Sequence, residues 1–447
     1  MFRAGSSRHW AWLVLAGYLL ITLLSWLPLT PGPARTAIRV VLVTWISLSS
    51  LLWLVALGRE PATPALWNLV KQVVVAVGLC GILAAPMLTR DLWYYAAWAR
   101  LTASGVDPYT TELPDPLREE FGILSFNPTM PYGPVWAYGA AALDRLVAPL
   151  GSSVELMAIK GVLVASWIAM IAGMDRLMRR RDLRSRLVGL AAMSVVPISV
   201  FQLVAEAHND VVVMALVVWW LLLRENGSRL SPIPLAVSAL MKYFTVPLLL
   251  FAAVEAWRRR RYSELACAVL AGSAAAGVGF LFWQDGALLA GLTKNADWRW
   301  LSAPFAIELT VKNLAPFTWV APAILLWRVV LVLGFAWYVR TWWRSKDSDA
   351  AAYGMLAAFW LVVLMSAEYV WPWYLIWALP FVILAEDRFL AGLAWPIFVV
   401  LPIAHAGWAG GQHRLGYRSG FMLILFWSIV IAWLWQAWLA RARPSPG

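Results

Sequence analysis

Asp91, Tyr94, Tyr95 and Trp98 recur at i, i+3, i+4 and i+7. A helix over Asp91–Ser104 therefore sets a carboxylate and three aromatic rings on one face. A carboxylate so placed can take the proton of an alcohol as the alcohol oxygen attacks. The rings would exclude water and offer flat faces to sugar rings. An acid opening a helix also serves as a cap, and the sequence leaves both readings standing. A second group, Glu206-Ala207-His208-Asn209-Asp210, lies between two apolar runs, where polar side chains are expensive to bury. It reads either as a solvated turn with Asn209 or Asp210 as N-cap, or as a polar patch positioning an acceptor hydroxyl or a phosphate. A lone His without an i, i+4 partner argues against a metal site. Lys242 is the third candidate, a cation well inside the apolar stretch Pro232–Trp257. It can snorkel, pair with Glu206 or Glu255, or face a lipid phosphate. Lys294, Arg299, His413 and Arg414 are alternatives for the phosphate, and His405 reads as a polar helix end.

The surrounding elements must hold these groups at a membrane boundary. The chain has 447 residues, 62% hydrophobic and 13% charged, a composition outside that of soluble domains. Repeated apolar runs of about 20 residues give an all-α polytopic membrane protein. We expect about 12 transmembrane helices in a single integral domain over 1–447, the last of them at Phe421–Leu439 and another at Trp373–Leu384. The interval 89–150 is the first large loop. It carries two interfacial helices, the second over Val135–Leu146, joined through turns at Gly105, Asp107-Pro108 and Pro131-Tyr132-Gly133-Pro134. The 31 Trp residues exceed what interfacial belts require.

The net charge is +12, but the basic residues gather in short loops, which favours the positive-inside rule over nucleic-acid binding. With both termini cytoplasmic, more than half of the 36 basic residues fall on the cytoplasmic side, including Arg176–Arg186 and Arg258–Arg261. The same basic loops can touch anionic lipid headgroups. The alternation works if Pro232–Trp257 enters and leaves on one side, as a re-entrant hairpin of two half-helices. A long tilted helix with shifted topology is the other solution. With the hairpin, loop 89–138, Glu206–Asp210, Gln284–Pro316, Glu368–Tyr374 and His405–Arg418 all face the extracytoplasmic side. Cys80 and Cys267 lie in apolar runs and read as free thiols. No glycine loop for a nucleotide is present, so an activated donor would be lipid-borne, and no cofactor is expected.

Several motifs occur in a fixed order between about residues 85 and 385. They are Arg90-Asp91-Leu92-Trp93-Tyr94-Tyr95, Gly105-Val106-Asp107-Pro108-Tyr109, Pro131-Tyr132-Gly133-Pro134, His208-Asn209-Asp210, Met241-Lys242-Tyr243 and Trp371-Pro372-Trp373-Tyr374. In these the chain resembles the GT-C glycosyltransferases, and among them the bacterial polyprenyl-phosphate-mannose-dependent mannosyltransferases. The resemblance implies a hexosyltransferase with an extracytoplasmic site and a polyprenyl-phosphate-sugar donor. It implies an inverting displacement and no required metal. The acceptor stays open: a glycolipid, a growing polysaccharide or a protein hydroxyl would all fit. The resemblance makes Asp91 the general base. Lys242, Arg299 and Arg414 are then candidates for the donor phosphate, and Tyr94, Tyr95, Tyr109, Tyr132, His208, Asn209, Asp210, Trp371, Trp373 and Tyr374 for the substrates. A transporter or lipid-linked glycan flippase, or a glycan polymerase or ligase, would fit the same composition.

Overall fold

The computed structural model describes residues 6–27, 33–123, 129–282, 286, 302–345 and 348–408. The described residues are helical and fall into two compact units, each assembled from separate stretches of the chain. Nine helices among them are long and apolar enough to cross a membrane, and the protein is a multi-pass membrane protein. Of the 12 spans expected, Phe421–Leu439 lies outside the described residues. The run Trp373–Leu384 is not one helix but a 3₁₀ stretch, Pro372–Trp377, followed by the seven-residue Leu379–Ala385. The helix Asp210–Glu225 is 16 residues long, shorter than the other spans.

The first unit holds α1 (Ser6–Ser25), α2 (Pro33–Arg59), α3 (Pro64–Leu83) and α8 (Leu183–Val195). It also holds α13 (Ala303–Leu314), α14 (Val320–Arg344), α15 (Asp349–Ser366), α16 (Leu379–Ala385) and α17 (Arg388–Trp408). Helix α8 starts on Asp182, whose carboxylate accepts from the N–H groups of Arg184 and Ser185. It stops before Pro197, because the residue preceding a proline is driven to extended backbone, as Val196 is here (ψ 136°). The carbonyl of Val195 then loses its helical partner. It accepts instead from the Tyr18 hydroxyl at 2.7 Å and the Ser50 hydroxyl at 3.2 Å. A π-helical turn, Val200–Ala205, follows.

The second unit holds α4 (Asp91–Ala103), α5 (Asp115–Glu120), α6 (Pro134–Val147) and α7 (Ser152–Met178). Its remaining helices are α9 (Asp210–Glu225), α10 (Pro232–Met241), α11 (Val246–Arg258) and α12 (Tyr262–Leu281). Arg100, at the last turn of α4, ties four helices together. Its guanidinium meets Glu120 of α5 at 3.3 Å, Asp144 of α6 at 2.7 Å and Glu155 of α7 at 2.6 Å. Asp144 and Glu155 are buried, so their pairing is mandatory, since an unpaired buried charge is costly.

Helices α10 and α11 form a tight pair. Pro247 has no N–H and its ring would clash with the carbonyl of Tyr243, so the helix must break before it. The break is extended at Lys242 (φ −145°, ψ 122°) and 3₁₀ over Tyr243–Thr245. The outer ends come back to one level. Arg224 at the end of α9 makes two 2.6 Å bonds to Glu255 near the end of α11. Arg259 reaches the same carboxylate at 3.0 Å. Ser231, just before α10, donates to Glu264 of α12 at 2.6 Å. At 1.5 Å per residue the two helices are about 15 and 20 Å long.

Candidate active site

Asp91 is the first residue of α4, yet its carboxylate does not cap the helix. The N-cap position is Arg90, and no side-chain cap bond forms there. The carboxylate turns instead to His208, whose Nδ1 lies 2.9 Å from Asp91 Oδ2. An ionised carboxylate only accepts, so Nδ1 carries the hydrogen. The Tyr95 hydroxyl, one turn along α4, lies 3.4 Å from the same oxygen and accepts from the backbone N–H of Asn209 at 3.2 Å. The Asp91 side chain is 27% exposed while His208 is fully buried. The carboxylate is thus the member of the pair that meets solvent, with the imidazole behind it.

Burial pushes the Asp91 carboxyl up, but the charge and hydrogen bond of His208, helped by Lys242 and Tyr95, hold it below the usual carboxylate range. Burial lifts the Tyr95 and Tyr132 hydroxyls well above the ordinary phenol value, and Asp91 adds to both, so they remain protonated.

The segment 206–210 likewise forgoes the cap. Asn209 occupies the N-cap position of α9 without a side-chain cap bond, and Asp210 is the first helical residue. Asp210 is fully buried and accepts from Lys242 Nζ at 2.6 Å. Lys242 therefore pairs with Asp210, not with Glu206 or Glu255. Glu255 is taken by Arg224 and Arg259, and Glu206 by backbone amides. The reason is positional: the break after Met241 brings Lys242 to the start of α9, while Glu255 stands at the opposite end of α11. The ammonium also lies 5.0 Å from the centre of the Tyr132 ring.

The Pro131-Tyr132-Gly133-Pro134 turn fixes this arrangement through its glycine. Gly133 N–H donates to the carbonyl of Met241 at 2.8 Å. A Cβ at Gly133 would fall 2.0 Å from the Leu240 carbonyl oxygen, so only glycine permits the approach. Tyr132 is edge-on to Tyr95 (5.4 Å) and Trp98 (5.9 Å), and Tyr95 packs edge-on to Trp136 (5.0 Å). Tyr94 lies beside Trp98 at 5.3 Å.

Asp91, Tyr95, Tyr132, His208, Asn209, Asp210 and Lys242 thus assemble in the second unit, from four elements spread over some 150 residues. Tyr109 is buried at a distance from the carboxylate's own bonds, next to Tyr243 and Tyr138. Trp371, Trp373 and Tyr374 belong to the first unit. There Trp371 and Trp373 stack at 4.8 Å, and His405 stands roughly perpendicular to both at 5.6 Å. Arg299 and Arg414, like Lys294 and His413, lie outside the described residues. Among the described residues no three His, Cys, Asp or Glu side chains converge as a metal would need. Sequence reasoning missed the roles of Asp210 and Glu206 and the packing of Trp136 on Tyr95. The available signal was a pair of acids flanking a histidine at the start of an apolar helix.

The chain matches the family model described as alpha-(1->6)-mannopyranosyltransferase, N-terminal domain, over residues 4–259. That stretch takes in every element of the second-unit site. The chain is 23% identical to alpha-(1->6)-mannopyranosyltransferase A of Mycobacterium tuberculosis, over 90% of this chain and 75% of that protein. It is also 23% identical to alpha-(1->6)-mannopyranosyltransferase A of Corynebacterium glutamicum, over 90% of this chain and 89% of that one. No solved structure matches the chain.

Proposed function

The chain belongs to the alpha-(1->6)-mannopyranosyltransferase family, and from that premise we propose that it moves mannose from a polyprenyl-phosphate carrier to a glycan hydroxyl, with Asp91 as general base. The reaction takes place on the extracytoplasmic face of the cell membrane, with both termini cytoplasmic. The acceptor is a glycolipid or a growing polysaccharide, and the bond formed is α-(1→6), as in the relatives' names.

The observation that supports this reading is the Asp91 carboxylate, partly exposed, held ionised, and backed by a buried imidazole. The acceptor oxygen attacks the anomeric carbon as its proton passes to Asp91. A new C–O bond forms while the bond between the anomeric carbon and the phosphate oxygen breaks. The electron pair leaves on the polyprenyl phosphate. Inversion to an α product requires a β-linked donor. His208 donates to Asp91 Oδ2, which orients the carboxylate and leaves its other oxygen for the acceptor. Lys242 offers the charge that a departing phosphate needs. It stands at the break between two half-helices whose ends share one level. We therefore read α10 and α11 as re-entrant, because neither alone reaches across a hydrocarbon core of about 30 Å.

The test uses the full chain in lipid nanodiscs, radiolabelled polyprenyl-phosphate-mannose, and a short synthetic mannoside with an alkyl tail as acceptor. Label should reach the mannoside with the intact protein and not with Asp91→Asn. Label that crosses the bilayer still on its carrier would identify a flippase instead. Transfer of whole oligosaccharides rather than single mannose units would identify a polymerase or ligase.

A further inference from the structure

Glu206 takes no part in the chemistry above, yet it is fully buried and heavily engaged. Its two oxygens accept from three successive backbone N–H groups, those of Met87 at 2.9 Å, Leu88 at 2.8 Å and Thr89 at 3.0 Å. The Thr89 hydroxyl returns a 3.4 Å bond to the Glu206 carbonyl. These amides belong to the non-helical stretch after α3, where backbone donors have lost helical partners and must find others. Successive N–H groups converging on one point make an anion site. Here the anion is the protein's own side chain.

Both strands of this clamp lead into the catalytic pair. Two residues after Thr89 comes Asp91, and two residues after Glu206 comes His208. Between Glu206 and His208, Ala207 adopts φ 61°, a left-handed conformation that a residue with a Cβ rarely takes. Such backbone persists only where the surroundings over-determine it. The π-helical turn Val200–Ala205 runs directly into it. Asp91 and His208 are 117 residues apart in sequence, and the Glu206 carboxylate is a direct tie between their two segments.

We propose that Glu206 is a positioning residue: by gripping the amides of residues 87–89 it sets the Asp91–His208 contact, and so the orientation of the general base. This rests on Asp91 being that base. A neutral amide cannot substitute, because the NH₂ of glutamine would oppose the N–H donors that now face an oxygen. The groups facing Asp91 are His208, Tyr95, Tyr132 and Lys242. Those facing Glu206 are His208 and Lys160, besides the three amides.

The experiment compares the full-length protein with Glu206→Gln, Glu206→Asp and Asp91→Asn in nanodiscs, using radiolabelled polyprenyl-phosphate-mannose and the alkyl mannoside. Melting of each purified variant is recorded alongside. For Glu206→Gln we expect kcat to fall on the order of 100-fold, as a displacement of about 1 Å at a reacting group does, with the donor KM unchanged. The acid limb of kcat should move to higher pH, because Asp91 loses the imidazole that keeps it ionised. Glu206→Asp should recover part of kcat. A Glu206→Gln protein with the normal kcat and acid limb would overturn the proposal. So would a loss that tracks melting alone, with the acid limb unmoved. If Glu206→Gln does not fold, Thr89→Val, which removes only the return bond, carries the same comparison of kcat, KM and pH limb. Normal turnover by Asp91→Asn would instead overturn the general-base premise. Inactive Asp91→Asn beside normal Glu206→Gln would overturn the positioning role alone.

Discussion

Replacing Gly133 with alanine tests whether the Pro-Tyr-Gly-Pro turn holds the Lys242 segment in place. The added Cβ would stand 2.0 Å from the Leu240 carbonyl oxygen and 2.6 Å from its carbon. Both are backbone atoms, so no rotamer change relieves the clash. Ordinary contact begins near 3.4 Å, so the two segments must part by about 1.4 Å. That separation also strains the 2.8 Å bond from Gly133 N–H to the Met241 carbonyl, one residue before Lys242. Overpacking costs about 1–3 kcal/mol and the hydrogen bond about 1 kcal/mol more, giving roughly 2–4 kcal/mol in all. Gly133→Ala should therefore melt several degrees lower than the parent in the same detergent. Its turnover with polyprenyl-phosphate-mannose should drop on the order of 100-fold as Lys242 leaves its position. Gly139, on the solvent- or lipid-facing side of α6, is the control. A Cβ there meets nothing within 4 Å, and Gly139→Ala should melt at the same temperature or slightly higher. If Gly133→Ala behaves like Gly139→Ala in both assays, the close approach does not exist in the working protein.

Four further variants test the same geometry. Asp91→Asn should lose transfer by about 10²- to 10⁴-fold, the usual contribution of a general base, while melting near the parent temperature. Because His208 and Lys242 depress the Asp91 carboxyl, ionised base persists below the usual carboxylate range, and activity owed to it is lost only as pH falls through that depressed pKa. His208→Ala leaves burial, which pushes the other way, so its kcat–pH profile should show an acid limb at higher pH than the parent; an unmoved limb would contradict the pairing. Lys242→Met should raise the donor KM and strand the buried Asp210, at about 3–5 kcal/mol, and Lys242→Met with Asp210→Asn should recover the stability without the affinity. Arg224→Met should cost about 3–5 kcal/mol by leaving Glu255 short of its bidentate partner, read as a lower melting temperature.

Asp91, His208-Asn209-Asp210 and Lys242 stand out in the sequence because polar groups are rare and conspicuous among apolar runs. The all-α membrane class is legible for the same reason. What the sequence could not give was who meets whom. Asp91 and His208 are brought together by a clamp of backbone amides, and backbone donors carry no residue signature. The partner of Lys242 was misjudged because the exact break at Met241–Lys242 decides which end of α9 it reaches. Asp91 at a helix start has the pattern of a cap, and only the tertiary contact shows the side chain turned away. The run Trp373–Leu384 has the hydropathy of a span, but Pro372 and Pro380 divide it into a 3₁₀ stretch and a short helix.

The paired helices α10 and α11 bear on how the protein is made. Segments of 10 and 13 residues are too short for the insertion machinery to release into lipid one at a time. In the re-entrant arrangement proposed above, with Lys242 at their junction, a lone pair would carry a bare ammonium into hydrocarbon. Its counter-ion sits on α9, and the bonds that close the base of the pair reach α9 and α12. The chain order is thus also an assembly order. The earlier α9 must be seated to receive the lysine, and the later α12 must arrive before Ser231 can lock. The lysine can meet its counter-ion as soon as α9 is seated, whereas the base of the pair closes only once α12 arrives.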